Sequence, residues 1–197
     1  MLMDSTPGVE DIFDLGPVTG YIGFDPTAPS LTIGNMVQVM LLDLFQRTGN
    51  KPIVLMGGAT GLIGDPSFKN SERDLKSLDE VRSNIDKQKK QFESLLRFSG
   101  DNAAIFVDNY DFYKEMNVLE FLRDVGKTLT VNYMASKESV KKRMESGISF
   151  TEFSYQLLQG YDFQVLYANH ECKLQMGGSD QWGNITAGKQ PNKSTIK

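Results

Sequence analysis

The sequence predicts an α/β fold, a parallel sheet flanked by helices, and three observations carry that reading. Short apolar runs at 18–24, 51–56, 103–107 and 174–176 recur along the chain, and each ends in a turn of Gly, Asp, Asn or Pro. The segments between them carry helical rather than alternating periodicity. Two of the runs, 51–56 and 103–107, are apolar at consecutive positions, as in strands covered on both faces.

Residues 1–15 hold few periodic apolar positions and read as an approach segment with one helical turn around 11–15. The run 18–24 alternates bulky and small residues and is stopped by Asp25, Pro26 and Pro29, because proline lacks a ladder donor. Ser30 stands where a helix N-cap is expected. Ile33, Met36, Val37, Met40, Leu41, Leu44 and Phe45 then recur at helical spacing, predicting a helix packed on the core by that face and stopped at Gly49. A strand that feeds a helix through a short polar loop aims free N–H groups and a positive dipole end above the sheet, where phosphate is the usual occupant. Asp25, Thr27, Thr32, Gly34 and Asn35 in this loop are more short polar or glycine residues than capping requires.

The strand 51–56 leads into a glycine-rich loop, Gly57-Gly58-Ala59-Thr60-Gly61-Leu62-Ile63-Gly64-Asp65-Pro66-Ser67. Neither a P-loop nor a G-x-G-x-x-G fingerprint fits its spacing. Residues 69–76 are charged and read as a surface segment, and 77–96 as a long, mostly polar helix. The strand 103–107 closes on Asp108-Asn109, and a short helix at 118–125 stops at Gly126. A helix at 137–146, capped by Ser136, gathers Lys137, Lys141, Lys142 and Arg143, either as a solvated face or as a contact for RNA phosphates.

On the helix 151–168, Tyr155, Gln159 and Asp162 share one stripe, while Phe150, Phe153, Leu157, Tyr161 and Val165 lie on roughly the opposite side and are expected to anchor it. Leu158 and Leu166 beside the polar stripe imply a semi-buried carboxylate that needs partners. The run 174–176 ends in Gly177-Gly178-Ser179-Asp180-Gln181-Trp182-Gly183-Asn184, so Asp25, Asp65 and Asp180 each decorate a strand end, where ligands bind in open α/β sheets. Residues 189–197 are polar and proline-broken, the composition of a disordered tail.

A net charge of −4 argues against a protein that coats nucleic acid, although a local basic patch could still hold one. The single cysteine, Cys172, cannot form an internal disulfide, and no apolar run approaches 18 residues. The acidic N-terminus lacks the features of a signal or transit peptide. A cytoplasmic location with no membrane association is expected, an organellar matrix being compatible as well.

The loop G-F-D-P-T-A-x-S-L-x-I-G-N resembles the signature of class I aminoacyl-tRNA synthetases in its tyrosyl version, and the resemblance extends over 16–188 through G-G-A-T-G-L-I-G-D-P-S, F-L-R-D-V-G-K, G-I-S-F-T-E-F-S-Y-Q-L-L-Q-G-Y-D-F and G-G-S-D-Q-W-G-N-I. It implies a Rossmann-like catalytic domain that joins L-tyrosine to ATP and passes tyrosyl to tRNA(Tyr), with Mg²⁺ accompanying the ATP and no tightly bound cofactor or protein-held metal. By motif, Tyr21 and Asp162 would hold the phenolic OH, and Asp65, Tyr155 and Gln159 the α-ammonium. Gln175 and Gln181 would flank the carboxylate and adenylate, Asp180 and the Gly178 backbone the ribose, and Gly23, Asp25, Thr27, Gly34 and Asn35 the nucleotide and its phosphates. Lys69 and Arg73 would close over pyrophosphate. Members of the family pair as homodimers through the region around Phe150.

Thr32 stands where the family carries a histidine that donates to the phosphates, and loss of one such donor costs about 10²–10³ in rate. The Lys-rich catalytic loop and the anticodon-binding and C-terminal RNA-binding domains have no counterpart in the 197 residues. The resemblance therefore implies a truncated catalytic domain with impaired activity. The alternatives are a non-catalytic fragment or paralogue that binds tyrosine or nucleotide, or one that acts only by protein interaction.

Overall fold

The computed structural model describes residues 2–65 and 75–187. The chain runs through α1 (Asp11–Asp14), β1 (Thr19–Phe24), α2 (Ile33–Arg47), β2 (Lys51–Met56), α3 (Thr60–Ile63), α4 (Leu78–Glu93), β3 (Ile105–Asp108) and α5 (Tyr110–Tyr113). It continues through α6 (Val118–Glu120), which widens into a π turn (Phe121–Val125), then α7 (Val131–Ala135), α8 (Glu138–Ser146), α9 (Phe150–His170), β4 (Cys172–Gln175), a 3₁₀ turn (Ser179–Gln181) and α10 (Trp182–Ala187).

The four strands form one sheet in the order β3-β2-β1-β4, and every pairing is parallel. The chain builds outward from β1 to β3 and then crosses to β4 on the other side of β1, so the strand order reverses beside β1. A crevice opens at the carboxyl ends of the strands at such a reversal. Alternate residues of β1 and β2 serve the two faces. Ile22, Phe24, Val54 and Met56 pack with Val39 and Leu42 of α2 and Val81, Ile85 and Phe92 of α4. Tyr21, Ile53 and Leu55 pack with Leu166 and Phe163 on α9. Burial on both faces explains the unbroken apolar text of β2. Phe92, fully buried and 4.8 Å from the Phe24 ring, pins α4 to the sheet; its loss to alanine would cost about 3–5 kcal/mol.

Several expectations are corrected. Ser30 does not cap α2. Thr32 does, its Oγ1 accepting from Asn35 N while the Asn35 side chain accepts from the Thr32 backbone, a reciprocal capping box. The face of α2 that enters the core is Val39, Leu42, Phe45 and Gln46, whereas Ile33, Val37, Met40, Leu41 and Leu44 are exposed. Gln46 displaces the expected stripe because its amide is fully used, reaching the Arg97 and Asn102 carbonyls and accepting from Arg97 N.

Ser136 closes α7 instead of capping α8, which starts without a side-chain cap. Arg143 is not part of a solvated basic face: it is buried and pairs with Glu152 through Nε to Oε1 at 2.7 Å and a second bond from Nη2 to Oε2 at 3.0 Å. On α9 the more deeply buried side is the Tyr155, Leu158, Asp162 and Leu166 side, while Phe153, Leu157 and Tyr161 join a satellite cluster with Val125, Leu129 and Met134, and Phe150 is exposed. Strand and helix ends shift by a few residues from the expected bounds, as in β3 and β4. The surface segment expected at 69–76 lies largely, and the tail at 189–197 wholly, outside the described residues.

Candidate active site

A cavity of about 390 Å³ occupies the crevice at the strand ends. Of the residues picked from sequence, Tyr21, Gly23, Asp25, Thr27, Asn35, Asp65, Tyr155, Gln159, Asp162, Gln175, Asp180 and Gln181 line it. The loops after β1 and β2, the side of α9 that faces the sheet and the turn after β4 bring them together.

Gly57 and Gly58 are required where the loop after β2 presses on its neighbours: a Cβ at Gly57 would overlap the Asp25 carboxylate, and one at Gly58 the Asp108 carboxylate. That closeness lets Gly58 N donate to Asp108 Oδ1 at 3.1 Å. Burial raises the Asp108 carboxyl above the ordinary carboxylate range, against the opposing pull of backbone donors.

At one side of the cavity Asp162 is buried between two donors. Asn109 Nδ2 donates to its Oδ2 at 2.9 Å and Tyr113 donates from its hydroxyl to Oδ1 at 2.6 Å. Burial still wins and lifts the carboxyl to about 7, although both hydrogen bonds act to lower it. Tyr21 lies close by, its phenol pushed well above its usual value by burial and then by the Asp162 charge.

Around Asp25, Thr60 donates from Oγ1 at 2.6 Å and Tyr155 from its hydroxyl at 3.0 Å. With its proton committed to Asp25, the Tyr155 oxygen is left with lone pairs and behaves as an acceptor. Asp65 accepts from Gln181 Nε2 at 3.0 Å and from Asn184 Nδ2 at 3.5 Å.

Three buried polar atoms of lining residues have no partner among the described residues: Tyr21 Oη, Gln159 Oε1 and Gln175 Oε1. Two are carbonyl oxygens, so they call for N–H or O–H donors. The lining residues include the carboxylates Asp25, Asp65, Asp162 and Asp180 and, among the described residues, no Lys or Arg. Such a pocket suits a ligand with an ammonium and a hydroxyl.

Thr32 and Gly34 do not line the cavity; Thr32 is exposed and serves the helix cap, while its partner Asn35 faces the cavity. Gly178 is also outside the lining, and a Cβ there would strike the Asp180 carboxylate. Lys69 and Arg73 lie outside the described residues.

The sequence reading missed Gln38, Thr60, Asn109, Tyr113 and Asn184. Asn109 carries the most, accepting from Ala59 N at 2.7 Å while donating to Thr60 and Asp162. The fourth strand end contributes as the other three do, and an Asp-Asn pair closing an apolar run is the signal that could have marked it.

Comparison with known proteins agrees with this fold. Residues 15–194 match the family model for class I tRNA synthetases (W and Y). The chain is 54% identical over 190 residues to a tyrosine–tRNA ligase of Anaeromyxobacter dehalogenans and 56% identical over 191 residues to one of Cytophaga hutchinsonii, in each case covering 96% of this chain and 45% of the relative. It spans about half the length of the curated relatives it matches. Among solved structures, a C-terminally truncated mitochondrial tyrosyl-tRNA synthetase of Aspergillus nidulans superposes with a TM-score of 0.84 at 32% identity, over 95% of this chain and 57% of that one.

Proposed function

The chain belongs to the class I tRNA synthetases of tryptophan and tyrosine, and from that membership we propose that its cavity binds L-tyrosine and ATP and forms tyrosyl-adenylate as the catalytic domain of a tyrosine–tRNA ligase. The observation that carries the choice of amino acid is the set of unpartnered atoms: Tyr21 Oη beside Asp162, and the Gln159 and Gln175 carbonyls in a pocket with Asp65 and Tyr155. A phenolic OH donates to Asp162 and accepts from Tyr21. An ammonium donates to Asp65, to the Tyr155 oxygen and to Gln159. Each ligand group then meets a group of opposite hydrogen-bonding sense, so little is left buried and unmatched.

The reaction proposed is attack by a tyrosine carboxylate oxygen on the α-phosphorus of ATP. The α-phosphorus–oxygen bond to pyrophosphate breaks, and pyrophosphate leaves with the electron pair. No side chain needs to act as a nucleophile. The amide nitrogens of Gln175 and Gln181 orient the carboxylate and adenylate, Asp180 the ribose, and Thr27 and Asn35 the phosphates, so the chain's contribution is positioning. Mg²⁺ would come in on the ATP phosphates, whose oxygens it prefers, and would offset the cavity's negative charge. Lys69 and Arg73 are proposed to close over the pyrophosphate. Transfer of tyrosyl to tRNA(Tyr), pairing of two copies around Phe150 and a cytoplasmic location complete the proposal.

Isothermal titration with L-tyrosine tests the pocket. Saturable binding that weakens when Asp162 becomes Asn is expected, and no heat at millimolar tyrosine from folded protein would overturn it. One observation favours a second reading, a tyrosine-binding domain without adenylate formation: Thr32 is exposed, caps α2 and does not line the cavity. Tyrosine-dependent ATP–pyrophosphate exchange separates the two.

A further inference from the structure

We propose that Tyr113 is a positioning residue for Asp162, fixing that carboxylate as an acceptor so that the cavity selects an amino acid with a para-hydroxyl. The inference rests on the tyrosine-binding reading above. Tyr113 lies on α5, a four-residue helix outside the cavity lining, and its hydroxyl hydrogen-bonds the lining residue Asp162.

Its hydroxyl oxygen stands 2.6 Å from Asp162 Oδ1 and 2.9 Å from the Leu158 carbonyl. One hydroxyl proton serves these two acceptors. With Asp162 ionised, the proton goes to the carboxylate, the stronger acceptor. With Asp162 protonated, the hydroxyl can turn to Leu158 and accept the carboxyl proton instead. Tyr113 thus tolerates either form but bonds the charged one more strongly, which favours ionisation. Asn109 holds the other oxygen, so the carboxylate cannot rotate without losing both donors.

The Tyr113 ring is itself fixed. Its centroid is 5.7 Å from that of Tyr161 and 6.3 Å from those of Phe112 and Phe121. These contacts survive in a Tyr113→Phe variant, which removes one oxygen and little else.

The titratable groups facing Asp162 are Tyr21 on β1, Asp25 in the following loop, Asp108 at the end of β3, Tyr113 on α5, and Tyr155 and Tyr161 on its own helix. Among them only Tyr113 donates a hydrogen bond to it, with the neutral amide of Asn109 as the second donor. Removing the Tyr113 hydroxyl therefore raises the pH at which Asp162 ionises.

The test is titration of the unchanged protein and of Tyr113→Phe with L-tyrosine and with L-phenylalanine, from pH 5.5 to 8.5. Loss of a hydrogen bond to a charged group should weaken tyrosine binding by about 10- to 100-fold, leave phenylalanine binding within about threefold, and move the midpoint of the tyrosine profile upward. A purely structural role would weaken both ligands alike and leave the midpoint in place, and that result would overturn the proposal. Equal tyrosine affinity in the two proteins would also overturn it while leaving the site reading intact. Absence of tyrosine binding by the unchanged protein would overturn the site reading, and this proposal with it.

Discussion

Tyr155 donates its hydroxyl to Asp25 across 3.0 Å, joining residues that lie 130 positions apart in the chain. The bond sets the direction of the Tyr155 proton and so turns its oxygen into an acceptor facing the cavity. Tyr155→Phe should weaken tyrosine binding by about tenfold and lower stability by about 1.5–3 kcal/mol, the usual net worth of a hydrogen bond to a charged group. Calorimetric binding and denaturant unfolding measure the two effects separately.

Asp162 trades stability for recognition. Its carboxyl titrates at about 7, above the roughly 3.9 of an unfolded aspartate, so the folded state holds the proton more tightly. Between those two values stability falls as pH rises, and above about 7 the full cost of the buried charge is present. Asp162→Asn should therefore be more stable than the parent at pH 8, by about 1–2 kcal/mol or roughly 3–6 °C in Tm, with the advantage shrinking toward pH 5. Thermal unfolding across that range checks the sign, and an Asn variant that melts lower at pH 8 would refute the account.

Gly58 is fixed by the approach of Asp108, whose carboxylate occupies the space a Cβ would need. Gly58→Ala should cost about 1–3 kcal/mol, as overpacking does, and should weaken ligand binding as well because Asp108 and Asn109 move together. Gly23→Ala, where no atom lies within 4 Å of the added carbon, is the control and should change stability little.

Phe150 is 73% exposed, and Val118, Leu119, Val131 and Met144 are also exposed large apolar residues of the segment 118–150. Proposed pairing of two copies through the Phe150 region predicts that Phe150→Asp yields a monomer in sedimentation at micromolar concentration. A parent protein that is already monomeric under those conditions would refute the pairing.

The buried pair of Arg143 and Glu152 offers a stability test away from the cavity. Arg143→Met alone should destabilise by about 3–5 kcal/mol, because it strands Glu152, whereas the double change with Glu152→Leu should recover much of that loss. Urea midpoints of the three proteins decide it.

The parallel sheet was legible because burial on both faces writes itself as unbroken apolar runs; the lining residues Asp25 and Asp65 were legible because each decorates a strand end, and Asp162 because a carboxylate beside apolar helix positions demands partners. The facing of α2 was not. Its apolar positions outnumber those the described core can cover, and the deciding residue, Gln46, is polar, buried by hydrogen bonds to Arg97 and Asn102 that periodicity cannot reveal. Arg143 was misread for the same reason, since its partner Glu152 belongs to the next helix. Asn109 could have been marked by the Asp-Asn pair that closes the run 103–107, whereas Tyr113 stands outside the lining with its hydroxyl on Asp162, a contact that no local pattern announces.

The hydrogen bonds that knit the cavity join distant parts of the chain: Asp25 to Tyr155, Asp65 to Gln181 and Asn109 to Asp162. Loop-closure entropy must be met before any of them forms, as it must for the still longer closure that brings β4 onto β1, so the pocket and that sheet edge are expected to complete together, late in folding. During synthesis the first three strands could collapse with their helices while Asp25 and Asp65 still lack Tyr155 and Gln181. Ligand affinity should then appear abruptly near the end of this segment's emergence, and the amino acid itself would act as a late folding clamp, drawing α9 and the turn after β4 onto the first three strands.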